Sequence, residues 1–336
     1  MNKLKIIVVG YGRIGMRHVG HINNLALLGG IVEIDESRRK QAAIDHGKNC
    51  PIFKSIDEVD QNYDIAAICT PNGNHYDSAK KCLEKGISVL IEKPMTLDLM
   101  HGLNLLSIAE KKNLRVFAVK QNRFNPPVEY VKNLLLNNKL GNLLSFQINC
   151  FWNRNEDYYS TSTWKGTKKM DGGVLYTQFS HFIDLLIWLI GEMSVLSAVI
   201  KKRLVERNIE IEDTGLAILK SKSSELIGTL NYNINSYGKN MEGSITIFGS
   251  KGTIKIGGQY LNELEYFNVE NEKSPSLAIG NAPNNYGTYL GSMSNHDKVY
   301  ENLIDVLQNN GSISTSGIEA LSSLSLIEEI YAKSKS

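Results

Sequence analysis

Ile6-Ile7-Val8-Val9 runs straight into Gly10-Tyr11-Gly12-Arg13-Ile14-Gly15, and this junction constrains the fold of the 336 residues more than any other feature. Four consecutive β-branched residues mark a strand buried on both faces of a parallel sheet. A helical stretch to about Leu28 follows, and a G-x-G-x-x-G pattern carries weight only between a strand and a helix. Gly10 permits the tight turn, Gly12 lets the backbone approach a pyrophosphate, and Gly15 lets helix and strand pack closely. Arg13 and Ile14 open a helix whose unbonded N–H groups and positive dipole end favour phosphate. The expected ligand is a dinucleotide.

Ile31-Val32-Glu33-Ile34-Asp35 reads as a second strand, ending on an acid twenty residues beyond Gly15. An acid there bonds the adenosine ribose hydroxyls and repels a 2′-phosphate, so Asp35 favours NAD over NADP. Arg38 and Arg39 follow closely, and an arginine in this place accommodates that phosphate. Residues 65–69, 88–92 and 115–119 read as further strands, with helices over 76–85, stopped by Gly86, and from Leu99 to about 110. Strand and helix in alternation imply an α/β, doubly wound parallel sheet of the Rossmann kind. Ligands of such sheets lie beyond the carboxyl ends of the strands. Two loops qualify, Thr70-Pro71-Asn72-Gly73-Asn74-His75 and Glu92-Lys93-Pro94.

Composition narrows the class. Thirty-seven Lys plus Arg against thirty-five Asp plus Glu leave a net charge of +2, too balanced for a dedicated nucleic-acid binder. Cys50, Cys69, Cys82 and Cys150 form no C-x-x-C pair, so they read as buried small residues in a reducing, cytoplasmic setting. His18, His21, His46, His101 and His296 show no metal-ligand spacing, and no metal is expected. The apolar run before Gly10 is too short for a signal-peptide core, and residues 185–190 are far too few to cross a bilayer. No membrane partner is expected.

At roughly 150 residues per domain the length favours two domains, a dinucleotide-binding one over 1–120 and a second over 121–336. After Pro126-Pro127 and a helix, residues 143–152 alternate as a strand. Residues 214–219 and 225–233 read as one hairpin, and 244–248 and 253–256 as another around Gly249-Ser250-Lys251-Gly252. Residues 270–292 read as a long loop before a final helical region.

The glycine loop, Thr70-Pro71-Asn72-x-x-His75, Glu92-Lys93-Pro94, and Asp171-Gly172-Gly173 running on to His181, Asp184 and Trp188-Leu189-Ile190-Gly191 resemble the Gfo/Idh/MocA oxidoreductases. The resemblance implies an α+β C-terminal domain on a large open antiparallel sheet, often the contact of a dimer or tetramer. Val119-Lys120-Gln121-Asn122-Arg123, Phe151-Trp152-Asn153-Arg154, Trp164-Lys165-Gly166-Thr167 and Thr177-Gln178-Phe179-Ser180-His181 are similar to one branch, the UDP-N-acetylglucosaminuronate 3-dehydrogenases. That likeness implies a UDP-sugar oxidised at C3 to a ketone, for surface polysaccharide synthesis. It further implies cofactor contacts from the glycine loop, Asp35, Arg38, Thr70, Pro71, Asn72, His75, Glu92, Lys93 and Gln121. Substrate contacts would come from Arg123, Arg154, Tyr159, Trp164 and Lys165, with Thr177, Gln178, His181 and Lys239.

Oxidising a secondary alcohol needs a hydride acceptor on one face of the carbon and a base at the hydroxyl. Lys93, at a strand end, and His181 are the expected acid/base residues, with a cis Lys93–Pro94 bond aiming the lysine. Many relatives carry Asp where this chain has Thr177, so Gln178 is the alternative substrate-positioning residue. Asp184, one turn beyond His181, would orient it or make a separate polar contact. Two other functions fit the same residues: a dehydrogenase of a free polyol such as inositol, and a non-catalytic NAD-binding sensor.

Overall fold

The structure, a computed structural model, describes residues 3–204, 208–285, 290–314 and 316–335. The chain forms two compact units, Met1–Lys120 with His296–Leu324, and Gln121–Asn295 with Ser325–Ser336.

In the first unit β1 (Lys5–Val9) leads through the glycine turn into α1 (Arg13–Leu25), then β2 (Leu27–Val32), α2 (Glu36–His46) and β3 (Ile52–Phe53). There follow β4 (Ile65–Ile68), α3 (His75–Glu84), β5 (Ser88–Ile91), α4 (Leu99–Lys111) and β6 (Val116–Ala118). The six strands lie in the order β3-β2-β1-β4-β5-β6, and every neighbouring pair is parallel. Strand order reverses between β1 and β4, so a crevice opens beyond their carboxyl ends, where Gly10 and Thr70 sit.

The sequence carries α1 to about Leu28 and starts the next strand at Ile31, whereas the helix ends at Leu25 and β2 begins at Leu27. Gly29-Gly30 masks the strand, because glycine is depleted in strand interiors. Here the missing side chains make room: a Cβ on Gly29 would lie 2.6 Å from Lys5 Cγ and 2.8 Å from Tyr63 Cε1.

The second unit contains α5 (Pro126–Leu136), β7 (Leu143–Phe151), α6 (Glu156–Ser160), α7 (Val174–Thr177), α8 (Ser180–Ile190) and β8 (Met193–Lys201). It continues with β9 (Thr214–Ser221), β10 (Ile227–Asn233), β11 (Glu242–Gly249), β12 (Gly252–Gly257) and β13 (Glu263–Val269). Its seven-stranded sheet runs β13-β12-β11-β7-β10-β9-β8. Both expected hairpins form, pairing Leu230 with Ala217 and Ile247 with Ile254. The sheet is mixed rather than purely antiparallel, since β7 and β10 pair parallel with Leu230 beside Ile148. Within the expected long loop lies a short sheet of β14 (Pro283–Asn285) and β15 (Leu290–Met293). Phe146, Ile148, Leu219, Leu230 and Ile247 are buried on one face of the large sheet, while Leu144, Leu196, Leu216, Ile218 and Ile227 are exposed.

Two helices close the chain, α9 (His296–Asn309) and α10 (Gly317–Lys333). The sequence division places 296–324 in the second domain; the structure packs α9 on α1 instead. Tyr300 OH lies 2.7 Å from His18 Nδ1, the His18 and His296 rings meet edge to face at 5.3 Å, and His21 stacks on His296 at 6.0 Å. Burial, aided by His296, His18 and Arg17 and opposed by Asp297, lowers the pKa of His21 from 6.5 to about 4. Burial also lowers that of His296, against the pull of Glu92.

A pH dependence of stability follows. Between pH 6.5 and about 4 the unfolded chain protonates His21 while the folded one does not, so stability falls as pH falls through this window. Urea midpoints measured across it should drop with acidification, and His21→Gln should make the slope shallower. An unchanged slope would contradict the assignment.

Candidate active site

Gly10 holds φ +98°, and a Cβ there would lie 2.9 Å from the Cys69 carbonyl oxygen. At Gly15 a Cβ would fall 1.9 Å from the Gly10 carbonyl oxygen, a contact backbone cannot relieve. Gly12 differs, since a Cβ there would meet nothing within 4 Å. Gly12 caps α1 without a side-chain bond, so the first-turn amides, those of Arg13, Ile14 and Gly15, face this opening without helical acceptors. Beyond β4, the Thr70 hydroxyl is buried with no hydrogen-bond partner. A cradle with room for phosphate, amide donors and an unused hydroxyl fits NAD.

Pro71 precedes a short turn over Asn72–Asn74, whose Asn72 is buried. His75, the first residue of α3, is buried with its ring nitrogens 2.7 Å from the Pro94 carbonyl oxygen and 2.8 Å from that of Thr70. It therefore ties together the two loops the sequence singles out. Burial lowers its pKa, and the two carbonyls partly offset this.

The acid at the end of β2 is Glu33. Its buried carboxylate accepts from the Tyr11 amide at 2.7 Å and the Asp35 amide at 2.8 Å, which places it against the glycine loop. Asp35 is instead the N-cap of α2. The Ser37 hydroxyl and the Arg38 amide donate to its Oδ1 and hold its carboxyl below the ordinary range. Sequence reading missed Glu33 because the glycine pair displaced the strand end. Arg38 Nε stands 3.6 Å from Glu33 and 3.8 Å from Asp35, while Arg39 Nη1 donates to the Glu33 and Ile34 carbonyls.

Glu92 and Lys93 follow β5, and the Lys93–Pro94 bond is cis, as expected. Lys93 is half-buried, and its amide donates to Glu92 Oε2 at 3.0 Å. Glu92 Oε1 accepts from His18 Nε2 at 2.9 Å and His296 Nε2 at 3.1 Å. Burial by itself would raise the pKa of Glu92, but these imidazole bonds outweigh it and hold the carboxyl well below its usual range. His18, Glu92 and His296 form a buried group with metal-ligating atom types within 4.8 Å of one another. No spacing rule finds them, because they come from opposite ends of the chain. Both nitrogens stand at hydrogen-bond distance from one oxygen, so the group reads as a hydrogen-bonded cluster.

In the second unit His181 is buried near the start of α8. Gln121 Nε2 lies 3.4 Å and Ser292 Oγ 3.5 Å from its Nε2. The sequence offered no signal for Ser292, which falls in β15. Gln121, expected at the cofactor, also donates to Ser292 Oγ at 3.1 Å, and its own carbonyl oxygen is buried without a partner. Asp184 takes two bonds from Arg123, at 2.9 and 2.7 Å, with both side chains buried, a polar contact of the kind the sequence allows for it. Thr177 likewise donates to the buried Asp171, which also accepts from the Gly166 amide.

Four further candidates, Arg154, Tyr159, Lys165 and Gln178, gather around Tyr158. Lys165 Nζ stands 3.8 Å over its ring and Arg154 Cζ 5.2 Å. Arg154 also lies over Trp152 and donates to Asn240 Oδ1 at 3.1 Å. Gln178 Nε2 donates to the Tyr158 hydroxyl at 2.8 Å, leaving its carbonyl oxygen buried without a partner. Tyr159 packs edge-on against Tyr158. Trp164 is half-buried, and its carbonyl accepts from Thr167 Oγ1. Lys239 is exposed, and it is the adjacent Asn240 that reaches Arg154. Two cations, an aromatic ring and a free amide oxygen suit an anionic, hydroxylated ligand.

Residues 4–120 match the oxidoreductase-family NAD-binding Rossmann fold of Gfo/Idh/MocA proteins, and residues 132–336 match that family's C-terminal α/β domain. The chain is 30% identical to the WlbA dehydrogenase of Bordetella pertussis, solved with NADH and UDP-GlcNAcA, covering 99% of this chain and 97% of that one with a TM-score of 0.87. It is 32% identical to the Chromobacterium violaceum WlbA in the same type of complex, covering 100% and 94%, again with a TM-score of 0.87. The UDP-N-acetylglucosamine 3-dehydrogenase of Acidithiobacillus ferrooxidans is 28% identical over 37% of this chain and 39% of its own length. An uncharacterised oxidoreductase of Synechocystis is 28% identical over 63% of this chain, which spans 60% of that relative. The chain binds NAD.

Calorimetric titration should find NAD bound at least about tenfold, or roughly 1.4 kcal/mol, more tightly than NADP. Glu33→Gln keeps an acceptor but loses the charge, so it should narrow that gap. Asp35→Ala should lower stability through the lost cap and leave the preference in place. A preference erased by Asp35→Ala alone would overturn the role of Glu33.

Proposed function

Because the chain belongs to the Gfo/Idh/MocA oxidoreductase family, we propose that it oxidises the C3 hydroxyl of a UDP-linked uronate sugar, UDP-N-acetylglucosaminuronate, to the 3-keto sugar. The observation that carries this reading is the Arg154–Tyr158–Lys165 cluster, in a chain alike throughout its length to dehydrogenases solved with that sugar. A diphosphate and a uronate carboxylate are anions that such cations bind through charge-assisted bonds. A free polyol would offer them none.

NAD, held on the glycine loop, supplies the hydride acceptor. C3 gives up its hydride and the hydroxyl its proton, so the products are a ketone, NADH and a proton passed to a side chain. His181 and Lys93 handle that proton. At His181 the neighbouring Gln121 amide and Ser292 hydroxyl are donors facing Nε2, an arrangement that keeps a lone pair on Nε2 in the neutral ring. A base needs that lone pair. Lys93 is fixed through its own amide at a strand end, where an ammonium serves as the second proton carrier. The exposed apolar face of the large sheet, with Leu216 and Ile218 on β9, supports pairing of two copies through this sheet.

The test is formation of NADH on mixing NAD with UDP-N-acetylglucosaminuronate, with UDP-N-acetylglucosamine, inositol and glucose as controls. The uronate should give the fastest turnover. Lys93→Met and His181→Asn should keep NAD affinity and slow turnover by about 10²- to 10⁴-fold each. Parental rates in both variants across roughly pH 6 to 9 would refute the assignment.

A further inference from the structure

Resting on the role of Lys93 in that reading, we infer that His18, Glu92, His296 and Tyr300 form a clamp that positions Lys93 for proton transfer. An ionised Glu92 is costly to bury. A carboxylate that is 5% exposed persists as an anion only when donors replace water. Three N–H groups do so: those of His18 and His296 on Oε1, and the Lys93 amide on Oε2. One rigid group therefore joins two imidazoles to the backbone of the lysine.

The network assigns the protons. Glu92 only accepts, so His18 and His296 each carry hydrogen on Nε2. The Tyr300 hydroxyl then donates to His18 Nδ1 at 2.7 Å, which fixes the ring that faces Glu92. His296 Nδ1 is buried without a hydrogen-bond partner, so that ring is held by Glu92 at one nitrogen and by packing against His18 and His21. The nitrogens point at a carboxylate oxygen rather than at a gap between ligands, which is why a proton-bonded clamp describes the group.

The parts come from three elements. His18 lies on α1, whose first turn faces the phosphate cradle; Glu92 follows β5; His296 and Tyr300 lie on α9. Lys93 is thus held in register with the helix that binds the cofactor. Freeing Glu92 from one imidazole releases the amide of Lys93 and misplaces its ammonium, and a displacement of about 1 Å can cost on the order of 10²-fold in rate. His18, His296 and Tyr300 are positioning residues: they act through Glu92 and not on the substrate.

His296→Phe removes the N–H donor and keeps a ring, and His296→Gln restores a donor. Two measurements on the full-length protein with NAD bound decide the matter. Hydrogen–deuterium exchange followed by mass spectrometry should show faster exchange in the peptide containing Lys93 in His296→Phe, with other peptides unchanged. Steady-state kinetics with UDP-N-acetylglucosaminuronate should show kcat lowered by about 10- to 100-fold, with unchanged KM for the sugar and unchanged Kd for NAD. His296→Gln should recover part of both. If His296→Phe does not fold, Tyr300→Phe, which loses one hydroxyl, should show the same pattern more weakly. Parental exchange at Lys93 together with parental kcat would overturn the clamp, as would a His296→Gln no better than His296→Phe. The exchange readout needs no sugar, so an inactive parent would refute the proposed substrate while the clamp is still judged on exchange.

Discussion

The contact on which the first unit depends is the seat of Gly15 against the carbonyl of Gly10. A Cβ in that place would lie 1.9 Å from the carbonyl oxygen, so no side chain could occupy it without lifting α1 off the turn. With the helix seated, its first amides point over the carboxyl end of the parallel sheet, where Gly12 leaves room for phosphate. The same seating carries His18, three residues on and therefore on the same helix face, to Glu92 at 2.9 Å. One close approach thus sets both the cofactor cradle and the support beneath Lys93.

Much of this was legible because the signals are local. Four β-branched residues, three spaced glycines and the turn residues after each later strand are short-range statements about backbone conformation. What escaped the sequence is non-local or masked. The Gly29-Gly30 pair hides the start of β2, so the sequence points to Asp35, which caps α2, rather than to the buried Glu33 that accepts from the glycine-loop amide of Tyr11. Nothing near His296 announces that its partner is Glu92, so the packing of α9 on α1 is not legible in the sequence. The parallel β7–β10 pair joins strands separated by three helices and two further strands, a register that periodicity cannot specify. His181 was recognised through resemblance, since its apolar neighbours alone favour a core histidine.

Intramolecular partners are also invisible in the sequence: Arg123 makes a bidentate bond to Asp184, and the Thr177 hydroxyl donates to Asp171. The buried ions Glu92, Arg123 and Asp184 are answered by their own donors or acceptors, as desolvation demands. Buried polar atoms with no partner include Thr70 Oγ1, Gln121 Oε1 and Gln178 Oε1. Each belongs to a residue the sequence singles out for cofactor or substrate, and a bound ligand is a natural source of the missing bond.

The proposed reaction moves a hydride from C3 of a UDP-linked uronate to NAD. UDP-N-acetylglucosaminuronate carrying deuterium at C3, incubated with the protein and NAD and followed by mass analysis of the nicotinamide, reads that transfer. Deuterium should appear on the nicotinamide ring of the NADH formed, matched by a 3-keto sugar without the label. NADH free of deuterium, or a sugar that keeps its label while NADH accumulates, would contradict it.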